Sequence, residues 1–497
     1  MKRRLTLGLP AALAASLPVV VHAGGAYVGD SGSRAQARAG AVVARADDPM
    51  AILHNPAGLV NLGHKEASVG ANFVHHAQSF ARDGSYETPD DGVAYPWSGD
   101  RYPEVKSSTV MPVPYVALGG RRGRVAVALG VFGPQGNPLR SVPETVTTPE
   151  GTPGAPSPAR YDILEQEVIL AYPSLAVAYA VSERLSVGAR ASWGFGSISA
   201  RSYTWGITNQ EEDQQKDGAF SIDVQDNFIP AWGAGLLFRA SSALELGVAF
   251  DSGAHFGGSG VGITSLGPKL GLAGELDYIE PVDDRFVQCA TGGVIGGVAA
   301  CLDLDLPMFV TAGARFIFRD AAGRERGDLE LDLRWEQWSA ASDTVVTVDG
   351  QSHLTGIYLN PTILKHGFDD VLSARLGGSA SVGRVDLSAG VAYETATAPT
   401  SWNRLDLDGS SRLLGSFGVG VRVGRWQIDA GAALVVQPDR TVTEVADPSM
   451  PPAVADRSQP DGLQPLQGPL NQEYAPINLG KYTSGYLIGM VGVTSRF

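Results

Sequence analysis

The sequence predicts an all-β protein, a 14-stranded antiparallel transmembrane β-barrel in a bacterial outer membrane, with an N-terminal segment plugging its lumen. Three observations predict this fold. Apolar and polar residues alternate with a period of two in runs of about ten or more residues, the length that a tilted strand needs to cross a bilayer. Short and long connections alternate between these runs. The final run, residues 482–497, ends in Phe497, which is typical of a closing barrel strand.

The N-terminus predicts export from the cytoplasm. Residues 2–4 are basic, residues 5–21 are apolar, and the small residue Ala23 precedes Gly24. This order is that of a signal peptide, so residues 1–23 are expected to be removed. A transmembrane anchor is the alternative, but Gly and Pro interrupt the apolar run. No later segment has about 18 uninterrupted apolar residues, so no helical membrane span is predicted after the leader.

Composition excludes several function classes. The chain has 38 basic and 52 acidic residues and a net charge of −14, which argues against a nucleic-acid partner. Its two cysteines, Cys289 and Cys301, are predicted to form one disulfide in an oxidising compartment. Two thiols without a nearby His or Cys cluster make a poor metal site, and no cofactor or metal is predicted.

Alternation marks fourteen strands. It is cleanest over residues 185–195, 329–336 and 385–394, where every second residue is apolar and suits lipid. The predicted strands are 66–82, 107–120, 124–133, 165–180, 185–201, 228–240, 244–256, 305–319, 328–339, 370–382, 385–396, 410–423, 425–437 and 482–497.

The connections predict the orientation. Short ones, such as 182–184, 241–243 and 383–384, are expected to be periplasmic turns. The long ones are expected to be external loops and cover residues 83–106, 134–164, 202–227, 257–304, 340–369, 397–409 and 438–481. An even number of strands places both ends of the barrel, residues 64–497, on the periplasmic side.

A barrel of this size has a lumen too wide for its own side chains to fill, so something must plug it or it conducts water. Residues 24–63 alternate poorly and precede the first strand. We expect this segment, called the hatch below, to lie inside the barrel; a disordered periplasmic tail is the alternative.

Two sequence motifs resemble those of the FadL/TodX family of outer-membrane transporters for long-chain fatty acids and aromatic hydrocarbons. Within residues 46–59 stand Ala-Asp-Asp and then Asn-Pro-Ala, after a Gly- and Arg-containing segment around Arg38. Residues 331–338 resemble the family's tryptophan-rich strand, although Glu336 stands where the family has Ser. The family's Pro-Asp pair in a later loop is replaced here by residues 408–411.

The resemblance implies uptake of a hydrophobic molecule, captured by external loops, bound in an apolar lumen pocket and released sideways past the hatch. It assigns hatch and gating roles to Asp47, Asp48, Asn55, Pro56, Ala57 and Gly58. It places a lateral opening beside the third strand, with Gly130, Gly133, Pro134 and Gly136 as candidates. A plain strand end entering a loop is the alternative there. The implied partners are a hydrophobic small molecule, outer-membrane lipid and lipopolysaccharide, and the protein is expected to be a monomer.

Two other functions stay open at this point. A general porin would share the barrel, and an outer-membrane lipid-modifying enzyme is a third possibility. Residues 29–32, Gly-Asp-Ser-Gly, superficially resemble a hydrolase nucleophile segment but lack the strand-to-helix context. Charged lumen residues such as Arg190, Arg334 and Arg375 are interpreted as structural ion pairs in preference to carboxylate receptors.

Overall fold

The structure is a computed structural model, and it describes part of the chain. The described residues are 28–497 without 64, 90–91, 135, 137, 205–216, 266–278, 282–288, 290–297, 342, 353–360, 401–402, 408 and 443–478. The predicted signal peptide, residues 1–23, lies outside them. Within the described part, no helix has the length and apolarity needed to cross a membrane.

The described elements are mostly strands. The helices are short: α1 (Ser33–Gln36), α2 (Ala51–His54) and two 3₁₀ turns, Pro56–Asn61 and Trp338–Ala341. The strands are β1 (Glu66–Arg82), β2 (Val105–Arg122), β3 (Val125–Phe132), β4 (Arg140–Ser141), β5 (Thr145–Thr147), β6 (Pro153–Pro156), β7 (Glu165–Ala180), β8 (Leu185–Thr204), β9 (Gly218–Arg239), β10 (Leu244–Asp251), β11 (Ala254–Ser265), β12 (Ile279–Pro281), β13 (Val298–Leu306), β14 (Phe309–Arg319), β15 (Glu325–Glu336), β16 (Asp343–Ser352), β17 (Thr362–Lys365), β18 (Val371–Val382), β19 (Val385–Glu394), β20 (Arg412–Val423), β21 (Trp426–Val436), β22 (Arg440–Val442) and β23 (Gly480–Arg496).

Fourteen of the described strands close into one antiparallel barrel, which confirms the predicted fold. Each pairs with two neighbours in the order β1, β2, β3, β7, β8, β9, β10, β14, β15, β18, β19, β20, β21 and β23. The barrel closes where β23 pairs with β1, from Glu66 opposite Arg496 to Arg82 opposite Gly480. Closure removes the exposed sheet edge that a membrane does not tolerate.

The alternation of the sequence becomes two faces of the wall, as β3 shows. Its outward side chains Val125, Val127 and Leu129 are 43%, 44% and 52% exposed, whereas the inward Ala126 and Ala128 are 0% and 1% exposed. Apolar side chains that would be costly in water are favourable against lipid tails. The small inward residues leave room for the chain segment that fills the lumen.

Strand boundaries differ from the prediction mainly on the external side. The predicted strand 228–240 begins ten residues earlier, at Gly218, and the predicted 244–256 ends at Asp251. The predicted 328–339 ends at Glu336 because a 3₁₀ turn follows. The residues added to β9 at this end pair with β8 and β11, so pairing between strands, and not lipid contact, extends it.

The predicted loop 257–304 is not irregular throughout, which corrects the prediction. It contains β12 and most of β11 and β13, and the extension of β9 pairs with β11, β11 with β13, and β13 with β16. The barrel therefore continues outward as a small sheet above the membrane on this side.

Candidate functional site

Residues 28–63 lie in the lumen and contact the wall on every side. They are almost all buried: Ala41, Ala51, Ile52, Asn55 and Leu59 are each 0% exposed. α1 begins directly after Gly32, whose φ is +98°, and α2 ends before Pro56, which starts the 3₁₀ turn Pro56–Asn61. The Asn55 side chain caps this turn by accepting a hydrogen bond from the Ala57 amide at 3.1 Å.

The six predicted hatch residues lie in one folded segment. Asp47 and Asp48 both pair with Arg34, at 3.1 Å each, which ties the segment to α1. Asn55 donates through Nδ2 to the Val43 carbonyl at 2.7 Å. Pro56 and Ala57 follow in the 3₁₀ turn, and Gly58 lies so close to the Ala46 backbone that a Cβ would sit 2.3 Å from its carbonyl oxygen. Their role in gating stays a prediction.

A row of carboxylates on β15 anchors the hatch. Asp332 accepts hydrogen bonds from the amides of Val42 and Val43 at 2.8 and 3.0 Å. Glu330 accepts the Ala44 amide at 2.7 Å. Asp328 accepts from Arg38 and Arg45 of the hatch at 3.0 Å and from the wall residue Arg315 at 2.8 Å. Charge-assisted bonds of this kind are about twice as strong as neutral ones, so they hold this side of the hatch firmly.

The opposite side of the hatch packs through apolar contacts. Ile52, Leu59 and Leu62 are buried in the same hydrophobic cluster as Ala126 and Ala128 of β3. Apolar packing is non-directional and tolerates sliding better than a hydrogen-bonded ion pair does. The hatch is therefore held by charge-assisted bonds at β15 and mainly by apolar contacts at β3.

The wall is interrupted next to this apolar side. β3 has only 8 residues, between β2 with 18 and β7 with 16. Its pairing ends at Phe132, opposite Tyr115 of β2 and Tyr172 of β7. The chain returns between β2 and β7 only at Arg140, which pairs with Gln166.

The candidate opening residues lie at and beside this interruption. Gly133, Pro134 and Gly136 follow the last paired residue and belong to no described strand. Gly130 lies within β3 and pairs with Ala117 on one side and Ser174 on the other. Gly130 therefore belongs to the closed part of the wall, and the interruption begins three residues later.

The interruption lies within the apolar band of the barrel. Val110 of β2 and Ile169 of β7 flank it and are 55% and 47% exposed on the outer surface. Trp193, Phe195 and Phe228, also exposed, form part of an aromatic girdle nearby. A molecule leaving the lumen here would therefore meet lipid tails.

A cavity of about 130 Å³ lies between the hatch and the interrupted wall. Its apolar lining includes Leu53, Phe132, Pro134 and Tyr172. Its polar lining includes Asp30, Arg190, Arg334 and Arg375. An apolar wall with a few convergent polar groups is the usual form of a small-molecule site.

The external loops form a second buried polar cluster. Arg404 pairs with Asp162 at 3.2 Å and with Asp406 at 2.9 Å, and Asp406 lies 3.0 Å from His366. Burial raises the pKa of Asp162 to about 6, although Arg404 opposes the shift. Burial also disfavours the Asp406 carboxylate, but Arg404 and His366 outweigh it and lower the pKa of Asp406. These contacts bind three external loops together.

Cys289 and Cys301 are joined by a disulfide, with their Cα atoms 5.5 Å apart. Cys301 lies in β13, and the Cys289 amide donates to Asp349 of β16 at 2.6 Å. The bridge belongs to the external sheet, far from the hatch in the chain.

Comparison with known proteins places the chain in a family. The sequence pattern described as outer membrane protein transport protein (OMPP1/FadL/TodX) matches residues 14–459. The chain belongs to this family. The predicted family and the predicted location in the outer membrane are thus confirmed.

Solved FadL/TodX structures share the fold. A FadL homologue from Pseudomonas aeruginosa superposes with a TM-score of 0.68 at 16% identity, covering 95% of this chain and 100% of that one. The toluene transporter TbuX of Ralstonia pickettii gives 0.61 at 16% identity, over 94% and 98%. The toluene transporter TodX of P. putida gives 0.60 at 12% identity, over 96% and 99%. At these identities the likeness concerns the fold alone.

One relative is closer in sequence but only locally. A protein of Neisseria meningitidis serogroup B, described as an outer membrane protein, is 33% identical over 117 residues. The match spans 24% of this FadL/TodX family member and 24% of that protein, about a quarter of its length.

Sequence reasoning missed how the hatch is anchored. It interpreted charged lumen residues, Glu330, Asp332 and Arg334 among them, as structural ion pairs but did not identify their partner, whereas all three contact the hatch. A signal was present, because every inward residue from Asp328 to Glu336 is charged. Such a run inside a membrane protein requires partners across the lumen.

Proposed function

We propose that this protein carries hydrophobic molecules across the outer membrane and releases them sideways into the bilayer through the wall interruption after β3, with the hatch as gate. The observation that carries this proposal is the cavity of about 130 Å³ bounded both by the hatch and by Gly133 and Pro134.

The route answers a physical problem. An apolar chain gains about 0.8 kcal/mol per CH₂ on leaving water, but the polar lipopolysaccharide layer blocks its direct entry into the membrane. External loops capture the molecule, the cavity holds it, and the interruption delivers it below that layer. A lateral exit avoids returning an apolar molecule to water in the periplasm.

The size of the cavity limits what it holds at one time. Its volume of about 130 Å³ is close to the roughly 150 Å³ of an engineered apolar cavity that binds one benzene molecule. It therefore takes a single aromatic ring or a short part of an acyl chain. A longer molecule would have to extend into the external loops or the interruption.

Uptake in living cells tests the proposal. A host lacking its own transporter of this kind would express the protein and receive labelled oleate or toluene. We expect uptake of at least one of them above the empty-vector level, and Gly133→Leu, which places a side chain in the interruption, should abolish it. Gly489→Leu is the matched control, because a Cβ added there meets nothing within 4 Å. Equal uptake by both variants contradicts a lateral exit at this point.

The general porin makes a different prediction. Residues 28–63 occupy the lumen, so the proposed transporter should conduct few ions in planar bilayers. A large, steady conductance of the wild-type protein would favour the porin.

A further inference from the structure

The end of the barrel that carries the short turns is basic, although the chain as a whole is acidic. We call this end the turn rim and define it as residues 65–66, 121–124, 182–184, 239–245, 319–326, 383–386, 422–425 and 496–497. These residues hold 13 of the 38 Lys and Arg residues of the chain but 6 of its 52 Asp and Glu residues. Each of the segments contributes Arg or Lys, so cations surround this end of the barrel.

Three pairs of arginines stand opposite each other on neighbouring strands of the turn rim. The register of β19 and β20 continues to Arg384 opposite Arg422, whose amide donates to the Arg384 carbonyl at 2.9 Å. Like charges directly opposite each other destabilise a sheet, and an anion between them would remove that cost. The other two pairs, joined in the same way, are Arg425 with Arg496, at 3.0 Å, and Arg184 with Arg239, at 2.7 Å.

The carboxylates of the turn rim neutralise one arginine of each pair. They join Arg422 to Asp386 at 2.7 Å, Arg239 to Glu245 at 3.3 Å, and Arg496 to Glu66 at 3.4 Å. The second arginine of each pair is exposed, and among the described residues it has no ion-pair partner. These three are Arg184, Arg384 and Arg425.

Arg425 lies beside aromatic side chains on the outer face of the barrel. Its guanidinium carbon is 5.1 Å from the centre of the Trp426 ring and 5.5 Å from that of Phe497. The two aromatic residues are 42% and 63% exposed, and Ile428, on the same face of β21 as Trp426, is 50% exposed. Aromatic rings at the edge of the apolar band lie at the level of the lipid headgroups. Arg425 is therefore placed at the headgroups.

Arg496, opposite Arg425, is held with donors to spare. It binds Glu66 through Nε, and its side chain is 57% exposed. Within the described part of the chain, its two Nη groups bind no other carboxylate. Guanidinium groups match the geometry of phosphate oxygens, and a charged pair of this kind is stronger than a neutral hydrogen bond.

We propose that the turn rim binds anionic phospholipids of the periplasmic leaflet, with one headgroup phosphate held between Arg425 and Arg496 where β23 closes the barrel. The acyl chains of this lipid lie against Trp426 and Ile428. Basic residues next to a membrane attract anionic lipids, and lipids surround a barrel on all sides, as the cations of the turn rim do. A soluble protein partner would instead need its cations on one side. The inference goes beyond transport and does not depend on the hatch.

Fluorescence quenching in vesicles tests the site. The full-length protein is placed in equal parts of dioleoylphosphatidylglycerol and dioleoylphosphatidylcholine, and one lipid or the other carries bromine on its chains to quench nearby tryptophan. The contribution of Trp426 is the difference between the wild-type protein and Trp426→Phe. We expect brominated phosphatidylglycerol to quench Trp426 more strongly, corresponding to a local preference of about fivefold or more for the anionic lipid.

Two double variants separate the turn rim from the overall charge of the protein. Arg384→Gln with Arg425→Gln removes two cations without an acidic partner and should abolish the preference. Arg101→Gln with Lys106→Gln is the matched control, because it removes the same charge from exposed residues at the loop end, and it should keep the preference. Heat-modifiable migration in gel electrophoresis shows that each variant assembles, and Arg425→Gln alone serves if the first does not.

Two results would overturn the inference. One is equal quenching of Trp426 by the two brominated lipids in the wild-type protein, which would favour a soluble acidic partner for the turn rim. The other is an equal loss of preference in the rim variant and in its control, which would show a general effect of charge. Neither measurement uses a transported molecule, so both leave the proposed function untouched.

Discussion

The side-chain amide of Asn55 in the hatch donates a hydrogen bond to the backbone carbonyl of Leu236 in the barrel wall, with a nitrogen-to-oxygen distance of 3.1 Å. The two residues are 181 positions apart in the chain. The same amide nitrogen binds the Val43 carbonyl, so one side chain joins two parts of the hatch to the wall.

Replacement of Asn55 by Ala should loosen the hatch without preventing barrel assembly. The buried Val43 carbonyl and the partly buried Leu236 carbonyl would each lose this donor. Leaving a buried acceptor unsatisfied costs about 1–3 kcal/mol. We expect faster proteolysis of residues 28–63 in the purified protein, together with impaired uptake. Normal heat-modifiable migration is the control for assembly. Wild-type protease resistance and wild-type uptake in this variant would count against the role of Asn55.

The wall leaves no room for a side chain at Gly235, which lies beside Asn55. A Cβ added at Gly235 would lie 2.0 Å from Oδ1 of Asn55 and 3.1 Å from Cδ of Pro56. Gly235→Ala should therefore displace the hatch and increase its protease sensitivity, as Asn55→Ala does. Gly489→Ala is the matched control in another barrel strand, because its Cβ meets nothing within 4 Å. If Gly235→Ala and Gly489→Ala show the same protease sensitivity, close contact between hatch and wall at Gly235 is excluded.

Among the charged residues of the lumen, Asp328 should be the one whose replacement destabilises the hatch most. It binds Arg38, Arg45 and Arg315, so Asp328→Asn leaves three largely buried guanidinium groups short of one negative charge. Loss of one partner from a buried ion pair typically costs about 3–5 kcal/mol. The measurement is the urea concentration at which the hatch becomes accessible to protease. Asp320→Asn, in the short turn between β14 and β15, is the control and should leave this urea concentration unchanged.

The external loops should become less firmly packed as the pH rises from 4 towards 6. The pKa of Asp162 is raised by burial from 3.8 to about 6, so unfolded loops release this proton first and folded loops retain it. Stability of the loop cluster therefore falls across that window, by about 3 kcal/mol, and is level above it. The lowered pKa of Asp406 acts in the opposite sense but below 3.8.

Limited proteolysis of the external loops at pH 4.5 and at pH 7 measures this effect. The wild-type loops should be cut faster at pH 7. Asp162→Asn removes the titrating group and should make the cutting rate insensitive to pH over the same range, after correction for the protease's own pH profile. If the wild-type loops were cut more slowly at pH 7 than at pH 4.5, the predicted loss of loop stability on ionisation of Asp162 would be contradicted.

The sequence predicted the barrel well because its physics is local. A strand between lipid and lumen alternates residue by residue, and β3 follows that rule from Val125 to Phe132. Strand ends such as Gly218 of β9 were missed, since pairing beyond the membrane leaves no hydropathy signal.

Contacts of the hatch could not be predicted in the same way. The pair Asp30 and Arg375 joins residues 345 positions apart, and it depends on the register of every strand between them. A slip of one residue would turn Arg375 from the lumen to the lipid. The sequence identified the residue types of the site, but their partners required coordinates.

The most direct test of the account locks the hatch to the wall. Ser31→Cys and Gly133→Cys, made together in a Cys289→Ser, Cys301→Ser background, introduce thiols at two neighbouring residues, whose hydroxyl and backbone carbonyl oxygens lie 3.0 Å apart. Formation of the cross-link on oxidation is checked by mass spectrometry. Uptake of labelled oleate or toluene is measured in cells after oxidation and again after reduction. The account predicts that the oxidised protein does not transport and that reduction restores uptake. Full uptake by protein shown to be cross-linked would contradict gated lateral release.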